Sequence, residues 1–110
     1  MQSCSLLSLA TAVPPQVVSQ EEAKIRAREA FGGKKELFDR LSGVFDNAGI
    51  AKRHIVAPQD WYMASHGWHD RNALYLEASE SLFEEAATKA IDRAELHPQD
   101  IDGVVTVSTT

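Results

Sequence analysis

A long alanine-rich helix constrains the fold of this chain more than any other sequence feature. Between residues 71 and 96, apolar side chains recur at every fourth position, which places them on one face of an α-helix. The small side chains in this stripe predict close packing against another element. The stripe consists of Leu74, Ala78, Leu82, Ala86, Ala90 and Ala94.

Strand-like segments lie on both sides of this helix. Leu6, Leu7 and Leu9 precede a proline pair and predict a first strand. Val104 to Thr110 are seven uncharged residues, six of them β-branched, and predict a buried parallel strand. A strand, a helix and a second strand favour a right-handed βαβ crossover. We therefore expect an α/β chain forming one partial domain over residues 1–110, with residues 19–56 as an excursion.

The excursion carries its own helix signals. Ser19 and Glu22 have the spacing of a capping box, and Gly32 follows the last turn, which predicts a helix over residues 20–31. A second helix is predicted over residues 35–47. The segment at residues 51–56 is predicted to be a short strand.

Charge and composition exclude several function classes. The chain has 11 Lys and Arg against 16 Asp and Glu, a net charge of -5, and its basic residues are scattered. We therefore expect no nucleic-acid partner. No apolar stretch approaches the roughly 20 residues of a membrane helix. Ala10-Thr11-Ala12 fits a signal-peptidase site, but no basic residue precedes the apolar part, so we expect a cytoplasmic protein.

Few side chains suggest catalysis or metal binding. Cys4, the single cysteine, lies in a strand-like segment without a nearby His and is not expected to be a nucleophile. His66 and His69 have an H-x-x-H spacing beside Asp70, but no third ligand follows at motif spacing. Gly67 between them favours a loop with local hydrogen bonds. Trp61, Tyr62 and Trp68 are expected to anchor that loop.

Thr109 and Thr110 end the predicted final strand. In open α/β sheets, ligands bind beyond the carboxyl ends of parallel strands. The hydroxyl groups of these threonines therefore suit a pocket as well as a purely structural role.

Three segments together resemble a known enzyme family. They are "VFDNAGIAKRHIV", then "DWY" with "HGWHDRNALYLEAS", and finally "HPQDIDGVVTVSTT". They are similar to the N-terminal part of bacterial type III polyketide synthases, the chalcone synthase-like branch of the thiolase superfamily. Some of the pattern, including Gly49-Ile50 with Arg53, is shared with β-ketoacyl-carrier-protein synthase III.

The resemblance implies a fold and a reaction. It implies the N-terminal portion of a thiolase-like layered αβαβα fold, truncated before the catalytic cysteine, in an enzyme that acts as a homodimer without a bound cofactor or metal. Such an enzyme loads a starter from acyl-CoA onto the cysteine and extends it with decarboxylated malonyl-CoA units. A His and an Asn stabilise the oxyanions. The catalytic residues all lie downstream of this chain, so we expect it to be inactive by itself.

The resemblance also implies substrate contacts. Thr110 matches a threonine that touches the growing polyketide, and Thr109 lies beside it. Plant members grip the coenzyme A phosphates with three basic residues, and the matching positions here hold Arg40, Gly43 and Asn47. Arg40 and Asn47 are therefore the expected contacts to coenzyme A. Lys52 and Arg53 would either compensate for the two lost charges or brace the strand.

Three functions stay open at this point. The first is a fragment of a type III polyketide synthase. The second is a fatty-acid initiating enzyme like β-ketoacyl-carrier-protein synthase III. The third is a non-catalytic half-domain that binds a full-length partner.

Overall fold

The computed structural model describes residues 2–109 and divides them into two compact units. The sheet unit is residues 13–78, and the helix unit is residues 2–12 with 79–109. The sheet unit contains β1 (Gln16–Ser19), α1 (Gln20–Phe31), α2 (Lys35–Leu41), α3 (Gly43–Asn47), β2 (Lys52–Ile55) and α4 (Gln59–Met63). The long helix α5 (Trp68–Arg93) begins in the sheet unit and ends in the helix unit, where a 3-10 turn, Pro98–Asp100, follows.

The two strands of the sheet unit pair with each other. They run antiparallel, with Gln16 opposite Ile55 and Ser19 opposite Lys52. β1 passes directly into α1 through Ser19, whose Oγ accepts a hydrogen bond from the Glu22 amide at 3.1 Å. The Glu22 carboxylate in turn accepts a hydrogen bond from the Ser19 amide at 2.9 Å. The predicted capping box and the helix at residues 20–31 are therefore confirmed.

Phe38 is the centre of the sheet unit's small core. Its side chain is 2% exposed, and Val18 and Ala57 are the other fully buried apolar residues among those described. The rings of Phe31 and Phe45 lie 5.7 and 6.4 Å from the Phe38 ring, centroid to centroid. Through these three rings, α1 and α3 pack against α2.

The region predicted as one helix over residues 35–47 forms two. α2 ends at Leu41 and α3 begins at Gly43, and Ser42 between them caps both helices. The Ser42 hydroxyl donates to the Asp39 carbonyl at 3.1 Å, a local bond that competes with the regular helical ladder.

α5 is the main element of the helix unit. Its predicted alanine stripe is half-buried, and the helix starts three residues earlier than the sequence predicted. The N-terminal segment is attached to it by two hydrogen bonds. The Ser8 hydroxyl donates to the Ala90 carbonyl at 2.6 Å, and the Arg93 guanidinium donates to the Leu9 carbonyl at 2.8 Å.

The predicted strands at either end of the chain are wrong for the described residues. Neither Leu6–Leu9 nor residues 104–109 form a strand, and the sheet unit holds an antiparallel pair in place of the expected parallel βαβ crossover. Val104, Val105 and Val107 are 80%, 92% and 81% exposed. The physical reason lies in the backbone: a strand needs another strand for its N–H and C=O groups, and among residues 2–109 no strand pairs with either segment.

The prediction of a short strand at residues 51–56 is confirmed by β2. β1 was not predicted, because the prolines before it indicated an interruption. In residues 2–109, no helix combines the length and apolar character that a membrane span requires.

Candidate functional site

The surface formed by α2 and α3 carries the residues expected to contact coenzyme A. Arg40 lies in the last turn of α2, and Asn47 is the last residue of α3; both are exposed. Gly43, the third matching position, begins α3. A Cβ added there would meet only the Asn47 amide nitrogen, at 3.9 Å, so this position has room for a larger side chain.

Two of the three acids on these helices, Asp39 and Asp46, are paired with basic residues, whereas Glu36 on α2 has no ion pair in the described chain. Asp39 pairs with Arg28 at 3.3 Å and Asp46 pairs with Lys24 at 2.9 Å, so both carboxylates are bound to α1.

Within the described chain, the side chains of Arg40 and Lys52 make no ion pair or hydrogen bond. Both cations are therefore available for an anionic ligand. The described part of the sheet unit holds three more lysine or arginine side chains without an ion pair or hydrogen bond, Lys34, Lys35 and Arg71.

Arg53 has a different role from Lys52. Its Nε donates to the Gln20 side-chain oxygen at 3.1 Å, and the Gln20 amide nitrogen donates to the Phe45 carbonyl at 2.6 Å. This geometry favours the bracing role that the sequence left open for Arg53. The sequence does not indicate a role for Gln20, because a glutamine at the first position of a helix carries no signal of its distant partners.

The expected pocket residues at the end of the chain are not assembled into a site. Thr109 is exposed and belongs to no strand, and Thr110 lies outside the described residues. Cys4 is an exposed free cysteine. The pocket role of the threonines stays a prediction.

The segment between α4 and α5 is held by local contacts, as the sequence indicated. The His66 ring stacks on Trp61 at 3.9 Å, and its Nε2 lies 2.8 Å from the Trp61 carbonyl, which requires Nε2 to be the donor. The Tyr62 hydroxyl accepts a hydrogen bond from the Ala57 amide at 3.3 Å. Trp68 was expected to anchor this segment, but it is 83% exposed. That expectation is wrong for the structure.

His69 and Asp70 lie in the first turn of α5, not in a loop. The Asp70 carboxylate oxygen Oδ2 lies 4.0 Å from Nδ1 of His66, four residues earlier in the chain. The described residues hold no group of three His, Cys, Asp or Glu side chains that could bind a metal ion.

A groove that the sequence analysis missed lies between α1, the sheet and α4. Its volume is about 180 Å³, and its lining includes Val18, Ala23, Ile55, Tyr62 and Met63. Arg26 also lines this groove, and its guanidinium pairs with Glu29 at 3.1 Å and Asp60 at 3.6 Å. The sequence prediction named no helix at α4; Pro58 at its start, with Asp60 in its first turn, was the available helix signal.

Comparison with known proteins identifies the relatives of this chain. A Streptomyces griseus 1,3,6,8-tetrahydroxynaphthalene synthase is 32% identical over 101 residues, which is 92% of this chain and 27% of the relative. The Streptomyces coelicolor enzyme of the same name is 34% identical over 98 residues, 89% of this chain and 26% of the relative. A Bacillus subtilis protein described as a candidate chalcone synthase is 36% identical over 72 residues, 66% of this chain and 20% of the relative.

The chain is homologous to part of a type III polyketide synthase. It spans about a quarter of the length of the curated relatives that it matches. No protein-family model matches the chain, and no solved structure matches it significantly. The mixture of helices and a small sheet is compatible with an α/β fragment of these synthases.

Proposed function

We propose that this chain is the N-terminal part of a cytoplasmic, homodimeric type III polyketide synthase with a thiolase-like fold. The observation that carries the proposal is the similarity to polyketide synthases over about nine-tenths of the chain. It favours this function over the fatty-acid initiating enzyme, because the similar proteins are tetrahydroxynaphthalene synthases and a chalcone synthase-like protein. The complete enzyme would condense a starter acyl-CoA with malonyl-CoA units.

The proposed reaction needs a nucleophile that this chain does not supply. A cysteine thiolate attacks the thioester carbonyl of the starter, and coenzyme A leaves as a thiolate. Cys4 is exposed, and its sequence neighbours include no His, Lys or Arg that could activate a thiol. The isolated chain should therefore make no polyketide.

Labelled malonyl-CoA with a panel of starter acyl-CoAs tests this proposal. The isolated chain should yield no condensed product, whereas a protein that contains this chain and a downstream cysteine should yield one. In the longer protein, Cys4→Ala should leave loading of the starter intact. A loss of loading in Cys4→Ala, with the downstream cysteine dispensable, would overturn the proposal.

We propose Arg40 and Asn47 as contacts to the coenzyme A phosphates. Support comes from the exposed guanidinium of Arg40, which has no ion pair in the described chain, and from the neutralisation of nearby Asp39 and Asp46 by α1. Lys52 is a further free cation on this unit. Charge-assisted contacts to phosphate are about twice as strong as neutral ones.

Substitution at Gly43 tests this assignment by adding charge where there is room. Gly43→Lys should tighten coenzyme A binding roughly threefold, the scale of one exposed ion pair, and Arg40→Ala should weaken it by a similar factor. Isothermal titration of the longer protein with coenzyme A measures both effects. Ala87→Lys on exposed α5 is the matched control, because it adds the same charge elsewhere. An equal gain in Ala87→Lys would contradict a defined site.

Thr109 and Thr110 are proposed to border the polyketide cavity. In the longer protein, Thr110→Leu should change chain length or product profile more than it impairs loading, because the residue would touch the growing chain and not the nucleophile. Product analysis by mass spectrometry, beside a loading assay, separates the two effects. Loss of loading with an unchanged product profile would count against this placement.

A further inference from the structure

Gln20 makes hydrogen bonds that join the start of α1 to α3 and to β2. Its side-chain nitrogen Nε2 donates to the Phe45 carbonyl at 2.6 Å, and its side-chain oxygen accepts from Arg53 Nε at 3.1 Å. Its backbone N–H donates to the Ala51 carbonyl at 3.0 Å. The two side-chain bonds are part-buried and connect residues 25 and 33 positions apart. They therefore lie entirely inside the sheet unit and reflect its tertiary fold.

The bond to Phe45 satisfies the C-terminal end of α3. The last four carbonyls of a helix have no partner within it, and Phe45 lies two residues before Asn47, the last residue of α3. Gln20 supplies a donor from α1. The ion pair between Lys24 and Asp46 also joins these helices, but it is solvent-accessible, and such pairs contribute little. The bond from Gln20 is therefore the main polar contact that holds the last turn of α3 on α1.

We propose that Gln20 is a positioning residue for coenzyme A binding and that it acts through Asn47. This inference rests on the proposed function, in which Asn47 contacts the coenzyme A phosphates. Phe45 and Asn47 belong to the same helical turn, so a displacement of the Phe45 carbonyl moves Asn47 with it. A side chain on a fixed backbone loses less conformational freedom when it binds a ligand than one on a mobile backbone.

Arg40, the other proposed contact, is positioned by different interactions. It lies on α2, where the buried Phe38 ring packs in the core and Asp39 forms an ion pair with α1. Neither contact involves Gln20. Loss of the Gln20 side-chain bonds should therefore impair the Asn47 contact and leave the Arg40 contact in place.

Two substitutions separate the side-chain bonds of Gln20. Gln20→Met keeps a side chain of similar length and removes both bonds. Gln20→Glu keeps an acceptor for Arg53 but offers no donor to the Phe45 carbonyl, because an ionised carboxylate only accepts. Both variants should weaken coenzyme A binding by the same factor, roughly threefold, the scale of one hydrogen bond.

Isothermal titration of the longer protein with coenzyme A measures these effects. Gln16→Met and Gln16→Glu make the same changes at an exposed position of β1 and should leave the affinity unchanged. In an Asn47→Ala background, Gln20→Met should cause no further loss. In an Arg40→Ala background, the losses should multiply, because independent contacts contribute additively to the binding free energy.

A substrate without phosphates distinguishes positioning from general damage to the enzyme. Gln20→Met should raise KM for malonyl-CoA by the factor seen in titration, and it should leave KM for the malonyl thioester of N-acetylcysteamine unchanged. An equal rise for both thioesters would overturn the inference. Normal affinity in Gln20→Glu would overturn it too, because it would assign the effect to Arg53 and not to α3.

The variants at the proposed contacts separate this inference from the function on which it rests. Weaker binding in Asn47→Ala and Arg40→Ala, with normal binding in Gln20→Met, would overturn the positioning role alone. Unchanged affinity in both alanine variants would overturn the proposed coenzyme A contacts and the positioning role together.

Discussion

The two units of this chain differ in strand formation. In the sheet unit, segments with weak strand propensity pair with each other, whereas in the helix unit a segment with strong strand propensity stays unpaired. β1 and β2 have four residues each and include glutamine, serine, lysine and arginine, yet they form a ladder. Residues 103–107, GVVTV, have the higher strand propensity and form no ladder. The difference teaches that a strand exists only when a neighbour accepts its backbone hydrogen bonds, whatever its side chains prefer.

Helices obey no such condition, and they form in both units. α1 in the sheet unit and α5 in the helix unit lie close to where the sequence predicts them. Their backbone bonds are internal, so a missing neighbour costs them packing but not hydrogen bonds. The units therefore differ in their sheets and not in their helices.

Hydrogen exchange should show the largest difference between the units. In dilute solution, paired amides of β1 and β2 should be protected, whereas Leu6–Leu9 and Gly103–Val107 should exchange at the rate of an unstructured peptide. Exchange monitored by NMR or mass spectrometry measures this contrast. Equal protection of Gly103–Val107 and β2 in a dilute monomer would break the comparison, because it would reveal a backbone partner inside the chain.

Replacing a phenylalanine with alanine should destabilise the sheet unit more than the helix unit, because the phenylalanine in the sheet unit is more deeply buried. Phe38→Ala removes the ring at the centre of the sheet unit and should destabilise that unit by about 3–5 kcal/mol. Phe83→Ala on α5 removes a ring that is 46% exposed and should cost about 1 kcal/mol. Urea titration followed by circular dichroism measures both variants. Similar losses would indicate that the helix unit has a core as well packed as that of the sheet unit.

The α1 cap should have a smaller, pH-dependent effect. Ser19→Ala should cost about 1 kcal/mol. The backbone and side-chain hydrogen bonds from Ser19 hold the pKa of Glu22 below its ordinary value of 4.5, and Arg26 adds to this effect. A lowered folded-state pKa stabilises the fold above pH 4.5, and that contribution disappears as the pH falls through the folded value.

The acid loss of α1 helicity should therefore be smaller in Ser19→Ala than in the unmodified chain. Circular dichroism across the acidic range measures it, and Ser79→Ala on α5 is the control because that serine caps no helix. An unchanged acid profile in Ser19→Ala would show that the Ser19 hydroxyl does not act through Glu22, because the backbone hydrogen bond from Ser19 to Glu22 remains in this variant.

The smallest expected effect is an increase in stability at the C-terminal end of α5. Glu95 has φ 56°, a left-handed conformation that glycine adopts without the steric cost of a Cβ. Glu95→Gly should stabilise the end of the helix by less than about 1 kcal/mol, because the greater freedom of glycine in the unfolded chain offsets part of the relief. The unfolding temperature measures this increase in stability. Glu84→Gly, in the middle of α5, is the control and should lower the unfolding temperature. A lower unfolding temperature in both variants would mean that Glu95 does not keep its left-handed conformation in solution.

Local sequence signals predicted the helices of this fold well, and the pairing of strands poorly. The Ser19–Glu22 capping box and the alanine stripe of α5 act over one or a few turns, so the sequence displays them directly. The antiparallel register of Gln16 with Ile55 depends on residues far apart along the chain. No local pattern encodes that pairing.

The candidate site was predictable only in part for the same reason. The position of Arg40 on a helix followed from periodicity. The neutralisation of Asp39 and Asp46 by α1, and the engagement of Arg53 by Gln20, depend on tertiary contacts that spacing does not reveal.

The hydrogen bond from Ser8 to Ala90 has a consequence for synthesis on the ribosome. It joins residues 82 positions apart, so the N-terminal segment must wait for almost the whole chain before this contact can form. At about 5–20 residues per second, the delay is roughly 4–16 s. The sheet unit is contiguous and can fold during that time. The N-terminal leucines meanwhile remain accessible to ribosome-associated chaperones, which bind such apolar segments in nascent chains.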